Sequence, residues 1–162
     1  MTTQSTAPST TTIAMVGFGA MGAAMARRLV KDGHVVNAVD PFPQARSQAA
    51  SEGIPAFADI TEVPTCDVVI VLVATGRQLL DTVSASIAHR KMAGETWVIS
   101  STVGRRTARE ADELLSAAGA SVIDAPVTGG VPGATNGTLK FLVGAPKDRI
   151  DGAAAVFAPM GT

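Results

Sequence analysis

Cysteine, aromatic residues and net charge are all scarce in this chain. Its 162 residues include one cysteine and no tyrosine, aromatic residues make up 4%, and the formal net charge is −1. The lone Cys66 permits no internal disulfide and is more typical of a small buried hydrophobe than of a nucleophile. The near-neutral charge gives no indication of a polyanionic partner, so no nucleic acid is expected. The longest uninterrupted apolar run, residues 68–74, is much shorter than the roughly 20 residues that cross a bilayer, so no membrane partner is expected.

The chain begins with a polar segment that has none of the features of a targeting signal. Residues 1–11 are rich in serine and threonine, with neither a basic residue nor a hydrophobic core. We therefore expect a disordered tail rather than a signal or transit peptide, and a cytoplasmic location. Residues 12–162 have the length of one domain. The chain is 46% hydrophobic, which suits an aliphatic core around parallel strands.

Strand-like apolar runs alternate with helical segments through the rest of the chain. The predicted strands span residues 12–16, 35–39, 55–57, 68–74, 96–100, 121–127 and 139–143. The predicted helices span residues 20–31, 43–51, 77–89, 105–118 and 147–157. A glycine-rich loop separates the last two strands. This alternation predicts an α/β fold with a doubly wound, mostly parallel sheet of the Rossmann type.

A glycine-rich turn lies between the first predicted strand and the first predicted helix. Gly17 allows a sharp turn out of the strand, Gly19 allows a pyrophosphate to approach the backbone, and Gly22 allows the helix to pack closely on the strand. The helix that begins there directs free N–H groups and the positive end of its dipole towards phosphates. The pattern therefore predicts a dinucleotide site.

An acidic residue, Asp40, ends the second predicted strand 18 residues after Gly22. That spacing is close to the roughly 20 residues expected for the carboxylate that accepts the ribose hydroxyls of NAD. A 2′-phosphate beside Asp40 would meet like charge, and neither Pro41 nor Phe42 offers the arginine that NADP usually needs. The sequence therefore favours NAD over NADP. The alternative is a glycine turn with a helix-capping aspartate, but strand, turn, helix and acid are in the register of a cofactor site.

Ligands of doubly wound sheets lie outside the carboxyl ends of the strands. The segments that follow the predicted strands at this edge are the glycine turn, Asp40, Ala74-Thr75, Ser101-Thr102 and Thr128-Gly129-Gly130. In the last segment a hydroxyl and two glycines offer a donor and two unshielded backbone N–H groups, which suit a carboxylate. Taken alone, this segment is more typical of a flexible glycine turn.

Together the two glycine segments resemble the β-hydroxyacid dehydrogenase family, in particular its 3-hydroxyisobutyrate dehydrogenase group. The G-x-G-x-M-G turn of that family is matched by Gly17 to Gly22, including Met21. Its Asp-x-Pro-Val-Ser-Gly-Gly loop is matched by Asp124 to Gly130, and the Ser-Thr that ends the preceding strand is matched by Ser101-Thr102. The resemblance covers the chain from about Ile13 to its end.

The resemblance implies a role for each matched position. The residues that would hold the pyrophosphate are Gly17, Phe18, Gly19, Ala20, Met21 and Gly22. Asp40 would bind the adenosine ribose, while Val73 and Ala74 would border the cofactor. Thr102 would contact the nicotinamide side. The residues that would bind the substrate carboxylate and the hydroxyl being oxidised are Thr128, Gly129 and Gly130.

Two positions depart from the family pattern. Thr128 replaces the usual serine, which keeps the hydroxyl but adds a methyl group that crowds the substrate pocket. Ala74 replaces a common proline, which changes the stiffness of the loop more than its chemistry.

The catalytic lysine of the family has no counterpart in this sequence. It lies in a Gly-x-Gly-x-x-x-Lys-x-x-x-Asn helix after the nucleotide domain, and none of the lysines at positions 31, 91, 140 and 147 has that context. We therefore assign no catalytic residue, and we expect residues 12–162 to form an NAD-binding domain that is incomplete at its C-terminal end. We likewise expect no counterpart of the helical second domain of the family within residues 12–162. No metal site is predicted, because His34 and His89 lack metal-ligand spacing.

For the complete enzyme the resemblance implies hydride transfer between a small β-hydroxy acid and NAD, and a homo-oligomeric assembly. L-threonate dehydrogenase, tartronate semialdehyde reductase and imine reductase activities remain alternatives within this class. A stand-alone NAD-sensing module, which needs no lysine, is the alternative from another class. For the chain itself we expect weak NAD binding without appreciable turnover. We also expect self-association through an apolar sheet edge.

Overall fold

The computed structural model of the chain describes residues 10–162, in which six parallel strands form a twisted sheet with helices on both faces. The strands are β1 (Thr12–Val16), β2 (Val35–Val39), β3 (Ala56–Phe57), β4 (Val68–Val71), β5 (Thr96–Ile99) and β6 (Ser121–Asp124). Their spatial order is β3-β2-β1-β4-β5-β6. A short antiparallel pair, β7 (Val127–Thr128) and β8 (Lys140–Phe141), lies beyond β6. The predicted fold class is therefore confirmed.

Six α-helices connect or follow these strands. They are α1 (Ala20–Lys31), α2 (Pro43–Ser51), α3 (Gly76–His89), α4 (Arg105–Ala117), α5 (Gly130–Asn136) and α6 (Lys147–Phe157), with a 3-10 turn at Ile60–Glu62. Within residues 10–162, no helix combines the length and the apolarity that a membrane span requires.

The core is divided by the sheet into two apolar clusters. Successive side chains of a strand point to opposite faces, so Ile13 and Met15 of β1 pack with α1 and α6, while Ala14 and Val16 pack with α3 and α4. All four residues of β4 are buried, as expected for a central strand covered on both faces. The direction of the strand order reverses between β1 and β4. This reversal creates the crevice at which doubly wound folds bind their ligands.

Several predicted element boundaries are wrong. β4 ends at Val71 instead of residue 74, because the amides of Val73 and Ala74 pair with side chains rather than with a neighbouring strand. The predicted strand 121–127 is divided into β6 and β7 around Pro126, which has no N–H to donate. The predicted strand 139–143 is limited to Lys140–Phe141.

The glycine-rich loop contains a helix that the sequence did not predict. The seven residues Gly130–Asn136 form α5, which packs against α1. Gly133 lies so close to Leu139 that an added Cβ would be 3.2 Å from the leucine side chain. Tertiary packing therefore outweighs the low helix propensity of glycine and proline in this segment.

The predicted disordered tail, residues 1–11, lies outside the described residues except for its last two positions. Of these, Thr11 is ordered: its carbonyl accepts a hydrogen bond from Val35 N at 3.0 Å, and its amide donates to His34 Nδ1 at 3.3 Å. The disordered tail stays a prediction.

Candidate cofactor site

A cavity of about 460 Å³ opens at the carboxyl ends of β1, β2 and β4, at the point where the strand order reverses. Its lining residues are Val16, Gly17, Gly19, Val39, Asp40, Pro41, Phe42, Ala58, Asp59, Ile60, Leu72, Val73, Ala74, Gln78, Asp81, Thr82 and Ala85. Five of the residues that the sequence assigned to the cofactor are brought together here: Gly17, Gly19, Asp40, Val73 and Ala74.

The three glycines of the first turn have different surroundings. Gly17 has φ +94°, and a Cβ there would be 2.1 Å from the carbonyl oxygen of Leu72. A Cβ at Gly22 would be 2.0 Å from the carbonyl oxygen of Gly17 in the turn and 3.8 Å from the side chain of Met15 in β1, so α1 approaches the end of the strand closely at Gly22. A Cβ at Gly19 would have nothing within 4 Å. The space beside Gly19 is therefore open to an incoming group.

The amino end of α1 faces this open space without a side-chain cap. Gly19 is the N-cap and makes no side-chain hydrogen bond, and the first turn contains no acidic residue. The first intrahelical bond runs from Ala23 N to Gly19 O at 2.9 Å. The earlier amides, those of Ala20, Met21 and Gly22, have no acceptor four residues back within the helix. Together with the helix dipole they form an anion-binding end.

Phe18 differs from the other residues of the turn. Its side chain is buried in the core, and its amide donates to Asp40 Oδ2 at 2.8 Å. The ring and the N–H of Phe18 are therefore both engaged within the protein and do not face the space beside Gly19. Phe18 instead connects the glycine turn to the acidic residue at the end of β2.

Asp40 is held by two backbone amides at the wall of the cavity. Oδ2 accepts from Phe18 N at 2.8 Å, Oδ1 accepts from Phe42 N at 2.9 Å, and the residue is 7% exposed. A carboxylate oxygen has two lone pairs, so each oxygen retains capacity for a further donor such as a ribose hydroxyl. The orientation of the carboxylate is therefore fixed before any ligand binds.

The loop after β4 is fixed by the side chain of Ser101, which follows β5, and by that of Gln78 in α3. Val73 N donates to Ser101 Oγ at 2.8 Å, and this hydroxyl in turn donates to Val71 O at 3.2 Å. Gln78 Oε1 accepts from the amides of Ala74 and Thr75, each at 3.0 Å. Thr75 and Gln78 thereby form a capping box at the start of α3. This loop is one rigid wall of the cavity.

The far wall of the cavity contains residues that the sequence did not predict. Asp59 follows β3, and its carboxylate accepts from Thr61 N at 2.8 Å. The wall is completed by one side of α3, with Gln78, Asp81, Thr82 and Ala85. Two signals were available: Asp59 follows a predicted strand at the binding edge, and the α3 positions recur at three- and four-residue spacing.

The predicted nicotinamide and substrate residues lie outside the cavity. Thr102 is exposed after β5, and Thr128, Gly129 and Gly130 are exposed beyond β6. Gly129 and Gly130 have φ values of +119° and +61°, which side chains rarely adopt, at the start of α5. The five segments expected at one crevice edge are thus divided, and only the first three contribute to the cavity wall.

Asp124 and Asp67 lie away from the cavity and have shifted pKa values. Partial burial raises the pKa of Asp124, with nearby Asp112 as the second cause. Hydrogen bonds from Thr12, first from its amide and then from its hydroxyl, lower the pKa of Asp67. Within the described part of the chain, no three His, Cys, Asp or Glu side chains are grouped so that they could hold a metal ion.

Comparison with known proteins gives relatives over nearly the whole chain. A probable 3-hydroxyisobutyrate dehydrogenase from Mycobacterium tuberculosis is 40% identical over 151 residues, which are 93% of this chain and 51% of the relative. A 3-hydroxyisobutyrate dehydrogenase from Pseudomonas aeruginosa is 36% identical over 93% of this chain and 52% of the relative. The chain thus spans about half the length of these curated relatives.

A solved structure and a family model agree with these relatives. The structure of a Mycobacterium tuberculosis 3-hydroxyisobutyrate dehydrogenase with L-serine superposes with a TM-score of 0.89 at 40% identity, over 94% of this chain and 52% of that one. The model for the NAD binding domain of 6-phosphogluconate dehydrogenase matches residues 12–162. The resemblance inferred from the two glycine segments is therefore confirmed. The chain belongs to the family of NAD(P)-binding domains typified by that of 6-phosphogluconate dehydrogenase, and its relatives there are 3-hydroxyisobutyrate dehydrogenases.

Proposed function

We propose that the chain is the NAD-binding domain of an enzyme that transfers hydride between a small β-hydroxy acid and NAD. The observation that carries the proposal is the fixed carboxylate of Asp40, held by two backbone amides beside the glycine turn. The residues fit the cofactor, because the space beside Gly19 is open and the amino end of α1 faces it. NAD supplies the hydride acceptor when it is bound. The described residues bind and orient it.

The charge of the cavity supports NAD over NADP. Asp40, Asp59 and Asp81 contribute to the wall, and no lysine or arginine is among the described residues that line it. A 2′-phosphate adds negative charge at the adenosine ribose, which is proposed to lie next to Asp40. Two like unit charges 4 Å apart repel by about 4 kcal/mol at an effective dielectric constant of about 20. NAD avoids this repulsion.

The substrate end of the proposal rests on the segment Thr128-Gly129-Gly130. Its exposed threonine and two glycines with positive φ are suited to bind a carboxylate through a hydroxyl and backbone amides. The solved relative was crystallised with L-serine, which is itself a β-hydroxy acid. Thr102 is proposed to lie on the nicotinamide side of this segment. No described residue is assigned the proton transfer, and homo-oligomerisation and a cytoplasmic location stay predictions.

Calorimetric titration with NAD⁺ and NADP⁺ tests the proposed cofactor. The wild-type chain is expected to bind NAD⁺ more tightly than NADP⁺, and Asp40→Ala is expected to weaken NAD⁺ binding by at least tenfold. Asp151→Ala is the control, because Asp151 forms only an exposed pair with Lys147 on α6. Tighter binding of NADP⁺ by the wild type, or unchanged NAD⁺ affinity in Asp40→Ala, would contradict the proposal.

A further inference from the structure

Arg46, the fourth residue of α2, reaches back to the turn that precedes its own helix. Its Nη1 donates to the carbonyl oxygen of Asp40 at 2.9 Å and to that of Pro41 at 2.7 Å. Its backbone amide donates to Phe42 O at 3.3 Å. One residue therefore holds three consecutive carbonyl groups, those of Asp40, Pro41 and Phe42.

Helix stability does not explain a cation at this position. A positive charge in the first turn of a helix opposes the helix dipole, and α2 has no acidic residue there to offset it. The N-cap residue, Phe42, makes no side-chain capping bond. The favourable interactions of the Arg46 guanidinium are the two charge-assisted bonds to the turn. Its placement is thus explained by the turn rather than by the helix.

The turn that Arg46 holds also carries the groups that face the cofactor cavity. Phe42 N donates to Asp40 Oδ1, and the other carboxylate oxygen of Asp40 accepts from the glycine turn. Asp40, Pro41 and Phe42 all line the cavity, whereas Arg46 is not among its lining residues. A change in the turn conformation would alter the position of the Phe42 amide and thereby the orientation of the Asp40 carboxylate.

We propose that Arg46 is a positioning residue for the cofactor: it fixes the β2–α2 turn so that the Asp40 carboxylate is directed at the ribose. It thereby contributes to the preference for NAD over NADP. This inference rests on the proposed function of the cavity. Arg46 acts through the backbone of the turn, since its Nη1 is engaged by two carbonyl oxygens and the residue does not line the cavity.

The first test compares cofactor affinities of Arg46→Ala, Arg46→Lys and the wild type by calorimetry. In Arg46→Ala we expect NAD⁺ to bind about tenfold more weakly and NADP⁺ affinity to change by less than about twofold, since roughly 1.4 kcal/mol corresponds to tenfold. Arg46→Lys should recover part of the NAD⁺ affinity, because an ammonium group can also donate to carbonyl oxygens. Arg109→Ala, which removes an exposed arginine of α4, is the control and should change neither affinity.

A second measurement reports on the turn without any cofactor. Amide hydrogen exchange of Phe18 and Phe42 should become clearly faster in Arg46→Ala and only slightly faster in Arg46→Lys, in chains that remain folded by circular dichroism. If Arg46→Ala does not fold, the inference is tested by comparing Arg46→Lys with the wild type. In Arg46→Lys we expect a small loss of NAD⁺ affinity and slightly faster amide exchange.

Three results would overturn the inference. If Arg46→Ala selectively loses NADP⁺ affinity, Arg46 is a phosphate ligand. If Arg46→Ala binds NAD⁺ as the wild type does, Arg46 has no role at the site. If the alanine variant does not fold, wild-type NAD⁺ affinity together with wild-type amide exchange in Arg46→Lys leads to that second conclusion. Failure of the proposed function is distinguishable: in that case the wild type binds neither cofactor, or Asp40→Ala binds NAD⁺ as the wild type does.

Discussion

Substitution of Asp40 by asparagine keeps the shape of the side chain and removes its charge and one of its acceptors. Both carboxylate oxygens accept backbone amides, and the residue is 7% exposed. Asparagine has one acceptor oxygen, so its NH₂ group must face either Phe18 N or Phe42 N. A buried donor left without a partner costs about 1–3 kcal/mol. The amide of Phe42 is only partly buried and is the one that asparagine would leave unpaired, so we expect Asp40→Asn to lower the free energy of unfolding by about 1 kcal/mol, or the Tm by about 2–4 °C for a chain of this size.

The same substitution should shift the cofactor preference from NAD⁺ towards NADP⁺. Loss of one negative charge weakens the repulsion of a 2′-phosphate, which is about 4 kcal/mol per pair of unit charges at 4 Å before screening by solvent and salt. If screening leaves about a third of this energy, the ratio of NADP⁺ to NAD⁺ affinity rises about tenfold. We therefore expect stability and NAD⁺ affinity to fall together while discrimination against NADP⁺ decreases.

The assay combines urea unfolding of the ligand-free chain with titration of both cofactors. Asp81→Asn is the matched control, because Asp81 lines the same cavity but its side chain is 67% exposed and only 3.5 Å from Arg77. It removes the same charge without leaving a buried amide unpaired, so stability should change by less than about 0.5 kcal/mol. Wild-type stability in Asp40→Asn would refute the two amide bonds on which this reasoning depends.

Two further predictions concern the glycine turn and the acid sensitivity of the fold. Gly22→Ala should destabilise the chain by about 1–3 kcal/mol in urea unfolding, because its Cβ would be 2.0 Å from a backbone oxygen. Gly19→Ala has free space and should instead retain stability and lose cofactor affinity; equal stability of the two variants would contradict this. For Asp67, whose folded pKa is lowered by Thr12, the stabilisation is complete above its ordinary pKa of 3.8 and is lost as pH falls through the folded pKa. Asp67→Asn should therefore reduce stability more at pH 6 than in acid, with the difference shrinking as the pH falls below 3.8, and a difference independent of pH would exclude this origin.

The sequence predicted the parts of the fold in which local pattern and burial agree. β1, β2 and α1 have the predicted boundaries, because apolar runs, the glycine turn and Gly33 delimit them without help from distant residues. The glycine turn and Asp40 were predicted for the same reason: their spacing along one βαβ unit already determines that they meet.

The parts that the sequence missed depend on contacts between distant segments or on hydrogen bonds of single atoms. α5 forms in a segment of poor helix formers because it packs on α1. Spacing alone indicated that Phe18 lies in the turn, but it could not show that its amide is already bound to Asp40. Arg46 gave no sequence signal, since a side chain that bonds to backbone carbonyls has no characteristic motif.

A crystal structure of the chain with NAD tests the central claim most directly. It should show the pyrophosphate oxygens at the amides of residues 19–22 and a ribose hydroxyl within hydrogen-bond distance of Asp40, with the bonds from Phe18 and Phe42 retained. Adenosine bound elsewhere, or an Asp40 carboxylate turned to solvent, would contradict the account.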